Sequence, residues 1–119
     1  MLAGSSIETM PTGTLWLGGT THTSIGTLAS GQNLLAATVL GRITTSGELV
    51  QAVMTATDGS QTPVGILIHD IDATSAATPC QFYDGGDFDA TLVQWDASWT
   101  DAAKAGAFDR TRINLLTPR

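Results

Sequence analysis

The chain has 119 residues, a formal net charge of -6, one lysine (Lys104) and one cysteine (Cys80); a chain of that length holds one domain at most, with an appendage. The acidic balance argues against nucleic acid as a partner, because displacing phosphate counterions takes basic residues, and no apolar stretch nears the roughly 20 residues that cross a bilayer. The first residues lack the regions of a secretory signal, and a lone cysteine makes no intrachain disulfide, which suits a reducing cytoplasm.

Residues 1–33 are rich in Gly, Ser and Thr and carry one charged side chain, Glu8. Such a segment has too little apolar surface to offset the entropy of ordering itself. Ile7, Leu15, Trp16, Leu17, Ile25 and Leu28 nevertheless punctuate it, and the threonines between them favour extended backbone. The bland alternative is a floppy tail. A tryptophan in a Gly/Thr-rich arm points instead to an anchor, and the segment reads as an extended arm that orders on a partner by adding strands to it.

From Leu34 the texture becomes that of a globular body, residues 34–119. Leu34–Leu40 and Arg42–Thr44 read as strands separated by a bend or bulge at Gly41, and Ser46-Gly47 is a turn signal before Glu48–Val53. Asp58-Gly59 marks a tight turn, Pro63 biases Thr62 toward extended backbone, and Val64-Gly65-Ile66-Leu67-Ile68 is a buried strand by its apolar, β-branched run. Gln81-Phe82-Tyr83-Asp84-Gly85-Gly86-Asp87-Phe88 reads as strand, glycine turn, strand. Leu92-Val93-Gln94-Trp95 follows. One helix is predicted from Asp101 to about Phe108 with Thr100 as N-cap and Ser98 competing for that role, kept short by Gly106. Arg112–Leu116 closes the body. Short strands at this spacing predict a small, mainly β domain with one short helix.

Catalytic chemistry finds little support. His22 and His69 are the only histidines, and His69 reads as a surface residue at a strand end. Cys80 has neither a base nor positive charge among its sequence neighbours, so a buried structural thiol is the simpler account. No nucleophile elbow, phosphate loop or zinc spacing occurs. Asp70 and Asp72, and Asp84, Asp87 and Asp89, fail the spacing of a calcium loop and read as turn formers. Tyr83, Phe88, Trp95, Trp99 and Phe108 could line a carbohydrate cleft, but core or subunit packing is the simpler assignment. No cofactor, metal or catalytic residue is assigned. A carbohydrate-binding or calcium-stabilised adhesin module stands as the alternative class.

Taken in order, Val64-Gly65-Ile66-Leu67, the Gln81–Phe88 segment, the Leu92/Trp95 pair, the helix and the terminal strand resemble the head decoration protein D family of lambda-like tailed bacteriophages. The resemblance implies a small β-clip-like incomplete barrel with one short helix and an extended N-terminal arm. It implies a capsid decoration (cement) protein, made in the host cytoplasm, that binds the outside of the expanded head. Its partners would be the major capsid protein and two further copies of itself, as a homotrimer at three-fold and quasi-three-fold positions. Ile7, Leu15, Trp16, Leu17, Ile25 and Leu28 would then be capsid-binding anchors. Val64, Ile66, Phe82, Phe88, Leu92, Trp95 and Phe108 would pack the core or the trimer contact.

Overall fold

The continuous apolar runs of the chain belong to strands that are covered on both faces, as such runs should be. The computed structural model describes residues 16–109 and 111–116, and its elements are β1 (Trp16–Leu28), β2 (Gln32–Leu34), β3 (Val39–Arg42), β4 (Leu49–Gln51), β5 (Pro63–Leu67), β6 (Ile71–Ala73), β7 (Thr78–Asp89), α1 (Asp101–Gly106) and β8 (Arg112–Leu116). In β3 and β5 successive residues enter different cores. Leu40 and Leu67 join Leu28, Leu34, Leu49, Ala73, Cys80 and Phe82 in a first cluster. Val39 and Ile66 join Ala52, Phe88, Val93, Trp99, Phe108 and Ile113 in a second.

The six-stranded sheet has the order β1-β4-β3-β5-β7-β8, and β1 also pairs with β7. Five strands therefore form a ring of hydrogen-bonded neighbours. Where β1 meets β4 the ring is held by one parallel register, Leu28 opposite Leu49, so it does not close into a true barrel. The mainly β body with one short helix is as expected. β2 and β6 form a separate antiparallel pair. β8 lies parallel to the second half of β7, with Gly86 opposite Ile113 and Phe88 opposite Leu115.

Helix α1 begins where its cap predicts. Thr100 is extended and its Oγ1 accepts the Ala103 N–H at 3.1 Å, while Asp101 stands in the first turn. The terminal strand also forms as expected, over Arg112–Leu116.

Three local expectations need correction. First, Leu34–Leu40 is not one strand. The chain turns at Leu35–Thr38, with Ala37 in left-handed backbone at φ 73°. That conformation is held from both sides, since the Ala37 N–H donates to the Leu67 carbonyl and the Ala37 carbonyl accepts from Gln94, both at 2.8 Å. Gly41 lies inside β3 and does not separate two strands, but a register shift against β5 falls at Leu40/Gly41, in keeping with the bulge expected there. Second, Gln81–Phe88 is not a hairpin but part of one twelve-residue strand. Phe82 faces the first cluster and Phe88 the second, although residues six apart in an uninterrupted strand share a face. The face switches at Gly85-Gly86. Gly86 has φ +131°, and a Cβ on Gly85 would meet the His22 ring at 2.9 Å and Arg112 Cβ at 3.2 Å. The glycines allow a face change where a turn was expected.

The third concerns the arm. Trp16–Leu28, read as part of an arm spanning 1–33, is here a strand of the body, antiparallel to β7 from Trp16 opposite Phe88 to Leu28 opposite Thr78. Leu28 is fully buried in the first cluster. A threonine-rich strand with few apolar residues looks like an appendage because β7, and not its own side chains, supplies most of its order. Residues 1–15 lie outside the described residues.

Candidate interaction surface

The six anchors of the N-terminal third have different fates. Ile7 and Leu15 fall outside the described residues. Trp16 and Leu17 open β1, with the Trp16 backbone opposite Phe88. Ile25 is 74% exposed, whereas Leu28 is core. Trp16 and Leu115 pair with Phe88 from opposite edges of β7. The start of β1 therefore lies two strands away from the end of β8, about 10 Å at ordinary strand spacing.

The residues expected to pack the body sit as follows. Ile66 and Phe88 are fully buried, and Phe82 and Phe108 are buried. Val64 is half-buried against the first cluster and Trp95 against the second. Leu92 is half-buried in the loop after β7. Trp95 stacks at a tilt on Trp99 (5.1 Å between ring centroids) and on Phe108 (6.0 Å), and the Lys104 ammonium lies 5.9 Å from its ring. The Trp99 indole N–H donates to the Ala52 carbonyl at 2.9 Å, which satisfies a polar group inside an apolar cluster. Of the five aromatics considered for a sugar cleft, three are thus core, and Tyr83 leans on Phe88 at 4.9 Å.

Each aspartate of the two acidic clusters has a hydrogen-bond partner. Asp58, Asp72 and Asp89 each take both the backbone N–H and the hydroxyl of a Ser or Thr two residues on, and Asp96 accepts from the Ser98 N–H. These are Asx turns built on a repeated Asp-x-Ser/Thr pattern. The hydroxyl and then the backbone N–H hold the Asp58, Asp72 and Asp96 carboxyls below the usual carboxylate range. Asp70 accepts from the Ala36 N–H, Asp87 from the Asn114 amide, and Asp84 from the Ser24 hydroxyl at 2.6 Å with Arg112 4.0 Å away. Their bonds run to separate partners and do not converge on one point. Cys80 is buried, and burial pushes its thiol pKa up, which suppresses the reactive thiolate. His69 is exposed just after β5.

Two surfaces stand out among the described residues as open to a partner. One is a groove of about 650 Å³ between α1 and β8, where Trp95, Lys104 and Phe108 face Ile113–Leu116. Four successive strand residues line it, so it follows the edge of β8 and not one sheet face. That edge is partly blunted: the Ile113 N–H is taken by the Thr111 hydroxyl at 3.1 Å. The other is the outward face of β1 around Ile25. Sequence reasoning missed the two other exposed large apolar residues, Leu35 (61%) and Leu116 (46%). Both sat in runs read as strand, and nothing in the runs themselves marks them as outward-facing.

The family described as bacteriophage lambda head decoration protein D matches residues 10–114. No curated protein matches the chain.

Proposed function

The chain belongs to the bacteriophage lambda head decoration protein D family, a structural component of the virion that decorates the head, and from that premise we propose how it does so. It binds the outside of the expanded head as a homotrimer at three-fold and quasi-three-fold positions and stabilises the shell against genome pressure. Its partners there are the major capsid protein and its own copies, and the role is structural, not enzymatic. The chain is made in the host cytoplasm before it joins the shell.

Within that proposal the grip on the shell belongs to residues 1–15 with the opening of β1. The observation that carries this is the pairing of β1 with β7 as far as Trp16. It gives the preceding residues a fixed point of departure, with Ile7, Leu15, Trp16 and Leu17 as apolar anchors. Strand pairing to a capsid sheet edge supplies backbone hydrogen bonds, and the anchors supply register. Three arms on one trimer bind multivalently, so shell expansion must break coupled contacts together. Only Glu8 is charged among residues 1–17, so this contact is mainly non-ionic and weakly salt-dependent.

The test is titration of the full chain onto decoration-free expanded heads, followed by imaging. The proposal expects saturable binding, density at the three-fold positions, and heads that withstand higher temperature. Absence of saturable binding would overturn it.

A further inference from the structure

The sheet face carrying Ile25 is a charge-free surface in an acidic protein, and we propose that it is where copies of the chain meet. The proposal rests on the trimeric state put forward above and names the surface that makes it.

Along the regular part of the β1–β7 ribbon, alternate residues separate cleanly. Ser24, Gly26 and Leu28 pair with Phe82, Cys80 and Thr78 on the inner face, where Phe82, Cys80 and Leu28 are buried. Thr23, Ile25 and Thr27 pair with Tyr83, Gln81 and Pro79 on the other face. There Thr23, Ile25, Thr27, Gln81 and Pro79 are all exposed. The same sheet face continues at Tyr83 into the second cluster, which Trp95, Trp99, Phe108 and α1 cover. The cover stops at Tyr83. Beyond it, among the described residues, nothing covers the face.

Charge decides what covers the bare part. Residues 22–28 and 78–83 contain no Asp, Glu, Lys or Arg, in a chain of net charge -6. Copies of one acidic protein repel wherever their carboxylates approach, because like charges brought face to face cost several kcal/mol. Among the described residues, the three exposed large apolar side chains are Ile25, Leu35 and Leu116. Leu35 precedes Ala36, whose N–H holds the Asp70 carboxylate. Leu116 lines the groove that also presents Asp87, Asp101 and Asp109. Ile25 alone sits among threonine, glutamine and proline. It is also the most exposed of the three. The nearest acid along the ribbon, Asp84, is already bonded to the Ser24 hydroxyl. Contacts within a three-fold ring are heterologous except at the axis, where a residue meets its own two copies; a neutral, threonine-flanked isoleucine placed at the axis packs against those copies without an ionic partner.

The experiment measures the association state of the full chain by sedimentation equilibrium, for the wild type, Ile25→Asp, Thr27→Lys and Leu35→Asp, with circular dichroism as a folding control. All three altered side chains are exposed, so the body should fold in each. The expected result is a trimeric wild type and Leu35→Asp. Ile25→Asp should raise the concentration at half-association by at least about tenfold, since it sets three carboxylates against one another, and Thr27→Lys should weaken association in the same direction. A folded Ile25→Asp protein that trimerises like the wild type would overturn the proposal, as would a wild type that stays monomeric at all concentrations. Head binding, measured separately, distinguishes the two levels. A monomeric wild type that still binds heads ends this inference and leaves decoration standing. A trimer broken by Ile25→Asp whose wild type ignores heads keeps the face and ends the decoration proposal. Loss of head binding by Ile25→Asp with an intact trimer would assign the face to the capsid and overturn its use between copies.

Discussion

The two hydrophobic clusters share strands β3 and β5 but are built differently. The first is aliphatic for the most part and draws on the length of the chain, from Leu28 in β1 to Phe82 in β7. The second is aromatic-rich and draws chiefly on the later chain, with Phe88, Trp99, Phe108 and Ile113 set against Val39 and Ile66. One fills the ring of strands, while the other lies between the sheet and the segment that carries α1. The difference shows that the body needs its N-terminal strand inside and its helix segment outside. Losing either cover would expose one face of the same two central strands.

The largest expected effect is on the aromatic side. Phe88→Ala removes a fully buried ring and should cost about 3–5 kcal/mol in urea denaturation. A cost below about 1 kcal/mol would mean that the second cluster is not a core. Leu28→Ala sharpens the comparison, because a residue of a detached arm would leave folding untouched. Leu28 is fully buried against Leu49 and its neighbours, so the change should cost about 2–5 kcal/mol.

Smaller changes probe the lid of the second cluster. Trp99→Phe keeps an aromatic ring but loses the hydrogen bond to the Ala52 carbonyl, and should destabilise by about 1–3 kcal/mol through the buried acceptor left alone. Thr100→Ala removes the α1 cap and should cost about 1 kcal/mol. Unchanged thermal melting in both would mean that α1 does not help to close the cluster.

Smallest is the electrostatic effect. Asp58 is fully exposed, and its depressed pKa comes first from the Ser60 hydroxyl. A depressed folded-state pKa contributes stability above the unfolded value, and that stability is lost as pH falls through the folded value. Ser60→Ala should move the Asp58 titration, followed by NMR, upward toward the ordinary carboxylate value. It should also flatten the acid side of the stability profile slightly. No movement would mean that the Ser60 hydroxyl does not bond the Asp58 carboxylate in solution.

Much of the body was legible in the sequence. The apolar run at Val64–Leu67, the Thr100 cap and the closing strand at Arg112 each carry a local signal, and each element forms there. What escaped depended on partners distant in sequence. Gly85-Gly86 looks like a turn to any local rule, yet β1 and β8 flank it on both edges and hold it extended. Leu35–Thr38 looks like strand, but carbonyl and amide groups from Leu67 and Gln94 fix the bend at Ala37. Trp16–Leu28 looks like an arm because its order comes from β7. The candidate surface was legible only in part: Ile25 and Leu28 were read alike as anchors on a partner, and only the register of β1 leaves the first exposed and buries the second.

The proposed division between a body that includes β1 and preceding residues that grip the shell is best tested by head binding of a chain lacking residues 1–15. The truncated protein should melt like the full chain, because every described pairing of β1 is retained, and should bind decoration-free expanded heads at least about a hundredfold more weakly, since the loss would recur in each arm of the proposed trimer. Binding at full affinity by a folded truncated protein would place the grip in the body and contradict the account.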